Sequence, residues 1–280
     1  MKYYFLADVG GTHIKYALST SRAKFVFEGK VRTEHKNVVK QLKELIKPYR
    51  KNLKAIGIAS TGVVDNRTHK IVYAGNNLKV LQGTNYRLLA KYFNVPIWTE
   101  NDAKAAAYSE IKKANNKNFA LVTFGTGVGT GVVWNGQLLR GKNFLIGELG
   151  YTKLNDNNLN NFLSFSSFNN KIKQQFNFSS IDNETFDNTY QSNSEFRTIL
   201  NDYLKNVALF LAQVSIYFDL DEIIFGGGIS YLNPSFLKKI EDYFYQELAN
   251  TPFKTKIKPT QLKNSAGLVG VLKLLQTNKL

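Results

Sequence analysis

Two glycine turns, each set between two strand-like runs, constrain the fold of this chain more than any other feature of its sequence. The first lies near the N-terminus in LADVGGTHIKYAL, where Asp8 precedes a Gly-Gly turn. The second lies near the middle, where NFALVTFGTG is followed by TGVVWNGQLL. Because glycine reaches positive φ at little steric cost, a plain hairpin accounts for either turn taken alone. Their repetition predicts a chain built from two similar halves.

Strand and helix patterns alternate after the first turn. Apolar residues recur on one face from Asn37 to Arg50, which predicts a helix. The runs LKAIGIAST and VPIWTE are typical of strands, and NDAKAAAYSEIKKAN predicts a helix that is capped by Asn101 or Asp102. This order of strands and helices predicts an α/β half.

The second half has longer helices. Amphipathic helices are predicted from Glu195 to Phe218 and from Pro234 to Ala249, with the strand DEIIFGGG between them, and a last helix begins near Ala266. The stretch from Asn155 to Ser194 is rich in Asn, Ser and Phe, and we expect loops and short helices there. The whole pattern predicts a duplicated α/β fold with a cleft between the two copies.

Composition excludes several classes of protein. With 280 residues, of which 43% are hydrophobic, the chain can bury a large core. It contains no cysteine, which excludes structural disulfides and Cys-containing zinc sites. No apolar run approaches the roughly 20 residues that span a membrane, and the N-terminus shows no signal-peptide pattern. We therefore expect a cytoplasmic protein that does not bind membranes.

The net charge of +16 would suit a protein that binds nucleic acid, because neutralised phosphates drive that affinity. The lysines, however, are scattered along the whole chain among many asparagines and form no basic stripe. The sequence also shows no zinc finger and no RNA-binding sheet signature. We do not expect nucleic acid as a partner.

Two glycine-rich stretches of the second half would allow a ligand to approach the backbone closely. TFGTGVGTGVVW lacks the Gly-Lys-Ser/Thr ending of a Walker loop, and a strand follows it where the dinucleotide fingerprint needs a helix. Its backbone amides could bind an anion, although a plain turn explains the stretch equally well. The three glycines of IIFGGGIS would accommodate a flat ligand face, or merely a closely packed helix.

Carboxylates stand at two further turns. In WTENDAKAAA, Asn101 and Asp102 lie between a strand end and a helix start, where an N-cap is the plainer interpretation. The alternative is that the ionised Asp102 accepts a proton from a hydroxyl that attacks phosphorus, while the Asn101 amide orients that hydroxyl. Glu148 in GELGY could hold sugar hydroxyls or lie in a solvated loop. No metal-ligand spacing or catalytic triad pattern relates the histidines at 13, 35 and 69.

Together these stretches resemble the ROK family of bacterial sugar kinases and sugar-responsive repressors, within the actin-like ATPase superfamily. The matching stretches, in the family's order, are DVGGTHIK (first phosphate motif), ASTGVVD (substrate loop), AGNNL (sugar-binding Asn segment), ENDAKAAAYSE (catalytic segment), GTGVGTG (second phosphate motif), GGGIS (adenosine motif) and NSAGLVGV (closing helix). The resemblance covers nearly the whole chain. It implies duplicated actin-like, ribonuclease H-like α/β domains with an interdomain cleft.

The resemblance assigns roles to particular residues. Asp102 would be the general base that takes the proton from the 6-hydroxyl of a sugar, and Asp8 would hold Mg²⁺ through water. The implied sugar-binding residues are Ser60, Thr61, Gly62, Asn77, Asn101, Asp102, Glu148 and Tyr151. The implied ATP-binding residues are Asp8, Gly10, Gly11, Thr12, Lys15, Gly125, Thr126, Gly127, Gly129, Thr130, Gly226, Gly227 and Gly228.

Two departures from the family pattern bear on the substrate. Tyr151 stands where the family's sugar kinases usually carry a histidine that contacts the sugar. The region from Thr152 to Phe168, which matches their Cys-rich zinc loop, has neither Cys nor His. We therefore expect a zinc-free variant, with glucose as the default substrate and N-acetylmannosamine, another hexose or a disaccharide as alternatives.

The resemblance also predicts the organisation of the chain. A small lobe would comprise residues 1–117 with the C-terminal helix of residues 263–280, and a large lobe residues 118–262. We expect an ATP-dependent, hexokinase-type enzyme that forms a homodimer. The alternative is a non-catalytic sugar-binding sensor or regulator of the same fold.

Overall fold

The computed structural model of the chain describes residues 2–20, 24–111, 118–154, 157–178, 182–262 and 265–277, without the side chains of residues 76, 77, 154 and 157. Across these ranges, no helix combines the length and apolar character that crossing a membrane requires. In chain order the strands are β1 (Tyr3–Val9), β2 (His13–Ser19), β3 (Phe25–Arg32), β4 (Leu53–Ser60), β5 (Val63–Asp65), β6 (Lys70–Tyr73), β7 (Ile97–Asn101), β8 (Phe119–Phe124), β9 (Val128–Trp134), β10 (Gln137–Leu138), β11 (Lys153–Leu154), β12 (Asn157–Asn158), β13 (Glu222–Gly227) and β14 (Lys256–Pro259).

Helices connect and cover these strands. The α-helices are α1 (Val38–Ile46), α2 (Arg87–Phe93), α3 (Asp102–Glu110), α4 (Leu159–Phe162), α5 (Phe165–Phe176), α6 (Asn183–Ser192), α7 (Ser194–Phe218), α8 (Pro234–Leu248) and α9 (Ala266–Thr277). Short 3-10 helices span His35–Asn37, Lys47–Asn52, Asn76–Leu81, Leu149–Tyr151 and Gly228–Tyr231.

The chain divides into two compact units. Unit 1 comprises Met1–Lys113, Leu138–Ile146 and Asn264–Leu280, and unit 2 comprises Ala114–Gln137 and Gly147–Lys263. The segment Leu138–Ile146 thus groups with unit 1, whereas the sequence analysis places it in the large lobe. The lobes of residues 1–117 plus 263–280 and of 118–262, and the cleft between them, stay predictions.

Unit 1 is built on a five-stranded sheet in the order β3-β2-β1-β4-β7. β1 runs antiparallel to β2 and parallel to β4, which in turn runs parallel to β7. Successive residues of β1 point to opposite faces, so that Phe5 packs with the apolar residues of α1 and α2, and Leu6 packs with those of α9. The sheet is therefore covered by helices on both faces.

Unit 2 repeats this strand order as β10-β9-β8-β13-β14. β8 runs antiparallel to β9 and parallel to β13, which runs parallel to β14. The long helices α7 and α8 pack against each other, and Phe210 of α7 meets Phe124 of β8 edge-on, with ring centroids 6.3 Å apart. The duplicated α/β pattern predicted from the glycine turns is confirmed.

The stretch from Asn155 to Ser194 contains more regular helix than we expect from its composition. α5 has 12 residues and α6 has 10. Phe165, Phe168 and Ile172 recur at helical spacing along α5, and Phe168 stacks on Tyr203 of α7 with ring centroids 4.0 Å apart. Asn and Ser between these positions lower the apparent helix propensity, but burial of the aromatic face outweighs that preference.

Candidate active site

Three loops of unit 1 start from one edge of its sheet. Val9, Ser60 and Asn101 are neighbours across β1, β4 and β7, at the last residue of each strand. The loop of Gly10–Thr12, the loop of Thr61–Gly62 and helix α3 follow directly. Because parallel strands deliver their following loops to the same side of a sheet, the fold brings together the three stretches for which phosphate-binding, substrate-binding and catalytic roles are predicted.

Asn101 and Asp102 form one hydrogen-bonded junction between β7 and α3. The side-chain oxygen of Asn101 accepts a bond from Lys104 N at 3.0 Å and so caps α3. Its Nδ2 donates to Oδ1 of Asp102 and to the Gly62 carbonyl, both at 3.0 Å. Oδ1 of Asp102 also accepts from Ala103 N at 2.8 Å. The helix cap and the hydrogen-bonded Asp102 carboxylate, which are the two interpretations of this stretch, therefore occur together in the structure.

A second carboxyl group lies within electrostatic range of Asp102. Asp8, near the end of β1, has its pKa raised to about 7, mainly because burial removes water from the carboxyl group. The charge of Asp102 raises it further, and Lys15, which is opposite Asp8 on β2, opposes the shift. The carboxyl of Asp8 also approaches Gly267 near the start of α9. Asp8 therefore sits where a bound cation would relieve repulsion between two carboxylates.

The loop of Gly10–Thr12 is held from one side by the chain that follows β3. Thr33 donates from Oγ1 to the Gly10 carbonyl at 2.8 Å, and its backbone N donates to Thr12 O at 3.0 Å. Nε2 of His35 lies 2.5 Å from the Gly11 carbonyl, which makes His35 the donor. His35 belongs to no predicted motif, and no local pattern signals this contact, since the partners are 24 positions apart.

The predicted substrate loop begins with a buried residue. Ser60 is fully buried, and its Oγ lies 2.8 Å from the hydroxyl of the fully buried Tyr86. Burial raises the pKa of Tyr86, and the charge of Asp102 adds to that shift. Thr61 donates its backbone N to Val9 O at 2.9 Å, which ties this loop to the end of β1. The side chain of Asn77, an implied sugar-binding residue, lies outside what the structure describes.

In unit 2, the second glycine turn joins β8 and β9. Gly125 N donates to Gly127 O at 2.9 Å, and Ser166 N donates to Gly125 O at 3.1 Å, so α5 supports the turn. Thr126 is exposed at its tip, whereas Thr130 is buried on β9. Among the described residues, the Thr130 hydroxyl has no hydrogen-bond partner. The turn thus presents the residues around Thr126 to solvent.

Glu148 and Tyr151 belong to a segment that packs tightly on β9. Gly147 has a φ of +90°, and a Cβ there would lie 2.2 Å from the Thr130 carbonyl oxygen, so only glycine fits. The 3-10 helix Leu149–Tyr151 follows, and Tyr151 is 42% exposed. Asn160 accepts a bond from Val128 N at 2.8 Å and also contacts Gly150. Asn160, which the sequence analysis does not single out, therefore joins the Glu148 segment to the second phosphate motif.

The Gly226–Gly228 stretch ends β13 beside α5. Gly227 pairs with Phe124, the last residue of β8, so the two glycine-rich stretches of unit 2 lie at one edge of its sheet. The ring of Phe165 packs directly on Gly228. Ser230 donates from its hydroxyl to the Gly227 carbonyl at 2.8 Å, which fixes the turn.

The structure therefore gathers the predicted residues into two groups, one on each unit. Unit 1 holds Asp8, the Gly10–Thr12 loop, Lys15, the loop at 60–62 and the Asn101–Asp102 junction, and unit 2 holds the glycine stretches with Glu148 and Tyr151. Within the ranges that the structure describes, no cluster of three or more His, Asp or Glu side chains could hold a metal ion. The individual ligand-binding roles stay predictions.

Comparison with known proteins agrees with this geometry. A sequence model described as the ROK family matches residues 4–278. An uncharacterised protein of Clostridium perfringens is 28% identical and aligns over 96% of each chain. The N-acetylmannosamine kinase of Haemophilus influenzae is 24% identical over 94% of this chain and 92% of its own.

Solved structures share the fold over nearly the whole chain. A ROK family protein from Streptococcus pneumoniae, in complex with sucrose, has a TM-score of 0.85 and 24% identity, with 99% of each chain covered. A ROK family glucokinase from Streptomyces griseus, in complex with glucose and AMPPNP, has a TM-score of 0.83 and 20% identity, with 98% of this chain and 99% of that chain covered. A ROK family transcriptional regulator has a TM-score of 0.78 and 15% identity, with 97% and 78% covered. The predicted actin-like fold class is confirmed.

Proposed function

Because this chain belongs to the ROK family, we propose that it is an ATP-dependent sugar kinase of the hexokinase type. It transfers the γ-phosphoryl group of ATP to a hydroxyl of a hexose. The acceptor that we propose first is the 6-hydroxyl of glucose or a related hexose. N-acetylmannosamine is the second choice, supported by the relative in Haemophilus influenzae that is a kinase of that sugar.

The observation that carries this proposal is the position of Asp102. Its Oδ1 is held by the Asn101 amide at 3.0 Å and by Ala103 N at 2.8 Å, at the N-terminus of α3. A base acts efficiently only when its orientation is fixed beside the proton that it removes. The same sheet edge also carries the amide-rich loop of Gly10–Thr12, which suits a phosphoryl group.

The reaction follows from these groups. The Asp102 carboxylate accepts the proton of the sugar hydroxyl while the hydroxyl oxygen forms a bond to the γ-phosphorus. The bond from that phosphorus to the bridging oxygen breaks, and ADP leaves with the electron pair. Lys15 and the backbone amides of Gly11 and Thr12 stabilise the negative charge of the transferring group. The protein thus contributes orientation, one base and charge neutralisation.

Sugar binding is assigned to residues on both units. Asn101, Thr61 and Gly62 lie at the junction beside Asp102, and Glu148 and Tyr151 lie on the segment that packs on β9. Asn101 already donates both amide hydrogens within the protein. It would therefore contact the sugar through its side-chain oxygen, or through Nδ2 after one of these two hydrogen bonds has broken. Ser60 is buried against Tyr86, which favours a supporting role for its hydroxyl.

The residues present fit a magnesium ion at Asp8. Mg²⁺ prefers carboxylate and water oxygens, and Asp8 offers a carboxyl group whose ionisation is opposed by burial and by Asp102. Bound there with ATP, the ion would neutralise charge on the β- and γ-phosphates. Asp8 would hold it through water, and Lys15 would contact the phosphoryl group.

ATP binding is assigned to unit 2 and to the first phosphate loop. The turn at Gly125–Gly127 with Thr126, followed by Gly129 and Thr130, would surround the nucleotide phosphates. The Gly226–Gly228 stretch, on which Phe165 packs, would accept the adenosine. A related glucokinase binds AMPPNP, which supports ATP as the donor. We also propose a homodimer, and a location in the cytoplasm, where ATP is available.

A sugar-binding regulator is the second candidate, because one structural neighbour is a transcriptional regulator. The retained junction of Asn101 and Asp102 favours the kinase. A coupled assay of ADP release, run with Mg²⁺ across hexoses, N-acetylhexosamines, β-glucosides and disaccharides, separates the two. We expect turnover on one class, with a sugar phosphate identified by ³¹P NMR. Binding of a sugar by calorimetry without any ADP release would support the regulator.

A further inference from the structure

We propose that Arg140 is a positioning residue for Asp102, which it orients through the buried carboxylate of Glu100. This inference rests on the proposed function, because it gives Asp102 the role of base. Arg140 lies on Leu138–Ile146, here called the strap, which groups with unit 1, whereas the chain up to Gln137 and again from Gly147 groups with unit 2.

The first link is a buried ion pair. Nε of Arg140 lies 2.8 Å from Oε2 of Glu100, and the side chain of Glu100 is only 1% exposed. Arg140 itself is 26% exposed, so its cation reaches the carboxylate from the surface side. A carboxylate this deeply buried requires a partner, because the cost of removing its water is large.

The second link runs from Glu100 to the backbone of the catalytic junction. Oε1 of Glu100 accepts a hydrogen bond from Asn101 N at 3.1 Å. Asn66 adds a long bond of 3.5 Å to Oε2. Both oxygens of Glu100 are therefore engaged, one by the strap and one by the residue that caps α3.

The third link reaches the proposed base. Asn101 donates to Oδ1 of Asp102 and accepts from Lys104 N, each at 3.0 Å. A shift of the Asn101 backbone would move both contacts together. Arg140 thereby acts on the orientation of Asp102 without touching the sugar.

The strap has a second anchor, on helix α3. Lys104, which is 1% exposed, donates from Nζ to the Phe144 carbonyl at 3.0 Å. The guanidinium of Arg67 lies 4.9 Å from the centre of the Phe144 ring. The strap is thus bound by Glu100 and Lys104, which lie on either side of Asn101 and Asp102 in the chain. It therefore forms part of the proposed sugar-binding site.

Loss of the Arg140 cation would leave the charge of Glu100 buried and uncompensated. The carboxylate would then turn towards water or become neutral, and either change removes or weakens the acceptor of Asn101 N. Gln at position 100 avoids this outcome, because its amide oxygen accepts the same backbone bond without a charge. This difference separates a positioning role from a merely structural one.

The test uses Arg140→Met, the double variant Arg140→Met with Glu100→Gln, and Arg140→Gln in the full chain. Lys238→Met, which removes the cation of an exposed ion pair on α8, is the matched control. For Arg140→Met we expect kcat to fall about 100-fold, as for a displaced catalytic group, with KM for ATP unchanged. The double variant is expected to recover most of that loss, and Lys238→Met to match the wild type.

Hydrogen exchange of the Asn101 and Lys104 amides gives a readout that does not depend on activity. Both amides should exchange faster in Arg140→Met and regain protection in the double variant. If the wild type phosphorylates no sugar, the proposed function fails, and the exchange data alone then decide whether Arg140 positions the junction. A folded Arg140→Met with unchanged kcat and exchange, or a double variant as impaired as the single one, overturns the inference. Should Arg140→Met not fold, Arg140→Gln replaces it, because its amide keeps a hydrogen-bond donor for Glu100 but removes the cation; unchanged kcat and exchange there also overturn the inference.

Discussion

Asn101 donates a hydrogen bond from Nδ2 to Oδ1 of Asp102 over 3.0 Å, so the residue that caps α3 also orients the proposed base. Helix capping and the orientation of Asp102 are therefore carried by different atoms of one side chain, the oxygen and the nitrogen. Substitutions that remove one atom and keep the other can separate the two roles.

Asn101→Asp keeps the capping oxygen and removes the amide donor. We expect a folded protein whose kcat falls about tenfold to a hundredfold, because a hydrogen bond to a charged group contributes about 1.5–3 kcal/mol. Asn101→Ala removes both atoms and should also lose about 1 kcal/mol of unfolding free energy. Steady-state kinetics and urea unfolding check the pair. Asn101→Asp with wild-type kcat would contradict the orienting role.

The pKa of Asp8 makes stability depend on pH. Its folded-state pKa is about 7, whereas an unfolded Asp titrates near 3.9. The folded state therefore binds more protons between these values, and the stability contributed by this group, complete below about pH 4, is lost as the pH rises through about 7. Repulsion from Asp102 adds to this loss.

Asp8→Asn removes that dependence. Without Mg²⁺, we expect the difference in Tm between Asp8→Asn and the wild type, variant minus wild type, to increase by a few degrees from pH 4 to pH 7. A free-energy change of about 1 kcal/mol corresponds to about 2–4 °C in large domains. Thermal unfolding in buffers that contain a chelator measures it. A constant difference in Tm across this range would show that Asp8 titrates normally.

Gly270 is the point of closest approach between α9 and α3. A Cβ at this position would lie 1.7 Å from the Ala105 carbonyl oxygen, which is backbone and cannot turn aside. Gly→Ala inside a helix ordinarily stabilises by about 1 kcal/mol, but overpacking here should cost about 1–3 kcal/mol. We expect Gly270→Ala to lower the unfolding free energy. A more stable variant would mean that α9 packs differently.

Zinc content tests the expectation of a zinc-free variant. The chain has no cysteine, and the region from Thr152 to Phe168 has no histidine. We expect elemental analysis of purified protein to find no stoichiometric zinc, and chelator treatment to leave the Tm unchanged. One zinc per chain would show that other residues replace the family's ligands.

The sequence predicts those elements of the fold whose apolar residues recur at a regular spacing. Period-3.6 apolar patterns locate α7 and α8 within one residue at each end, because burial of one face determines each helix. The glycine turns locate the loops at the sheet edges. Composition is a poorer guide between Asn155 and Ser194, where aromatic packing makes α5 and α6 helical despite many Asn and Ser residues.

Contacts between distant residues of the site cannot be predicted from the sequence. Arg140 meets Glu100 across 40 positions, and His35 meets Gly11 across 24. Neither pair belongs to a periodic pattern, since each depends on how loops return to the sheet edge. The Asn101–Asp102 stretch can therefore be identified from the sequence, but the residues that fix its orientation cannot.

The most direct test of the account is the turnover of Asp102→Asn on the best sugar of the panel. Asn has nearly the same shape and can keep the bond from Ala103 N, but it cannot accept the proton of the hydroxyl. We expect kcat to fall about 10²- to 10⁴-fold, as for loss of a general base, with sugar binding measured by calorimetry little changed. Wild-type turnover by a folded Asp102→Asn would contradict the central claim that this carboxylate activates the sugar.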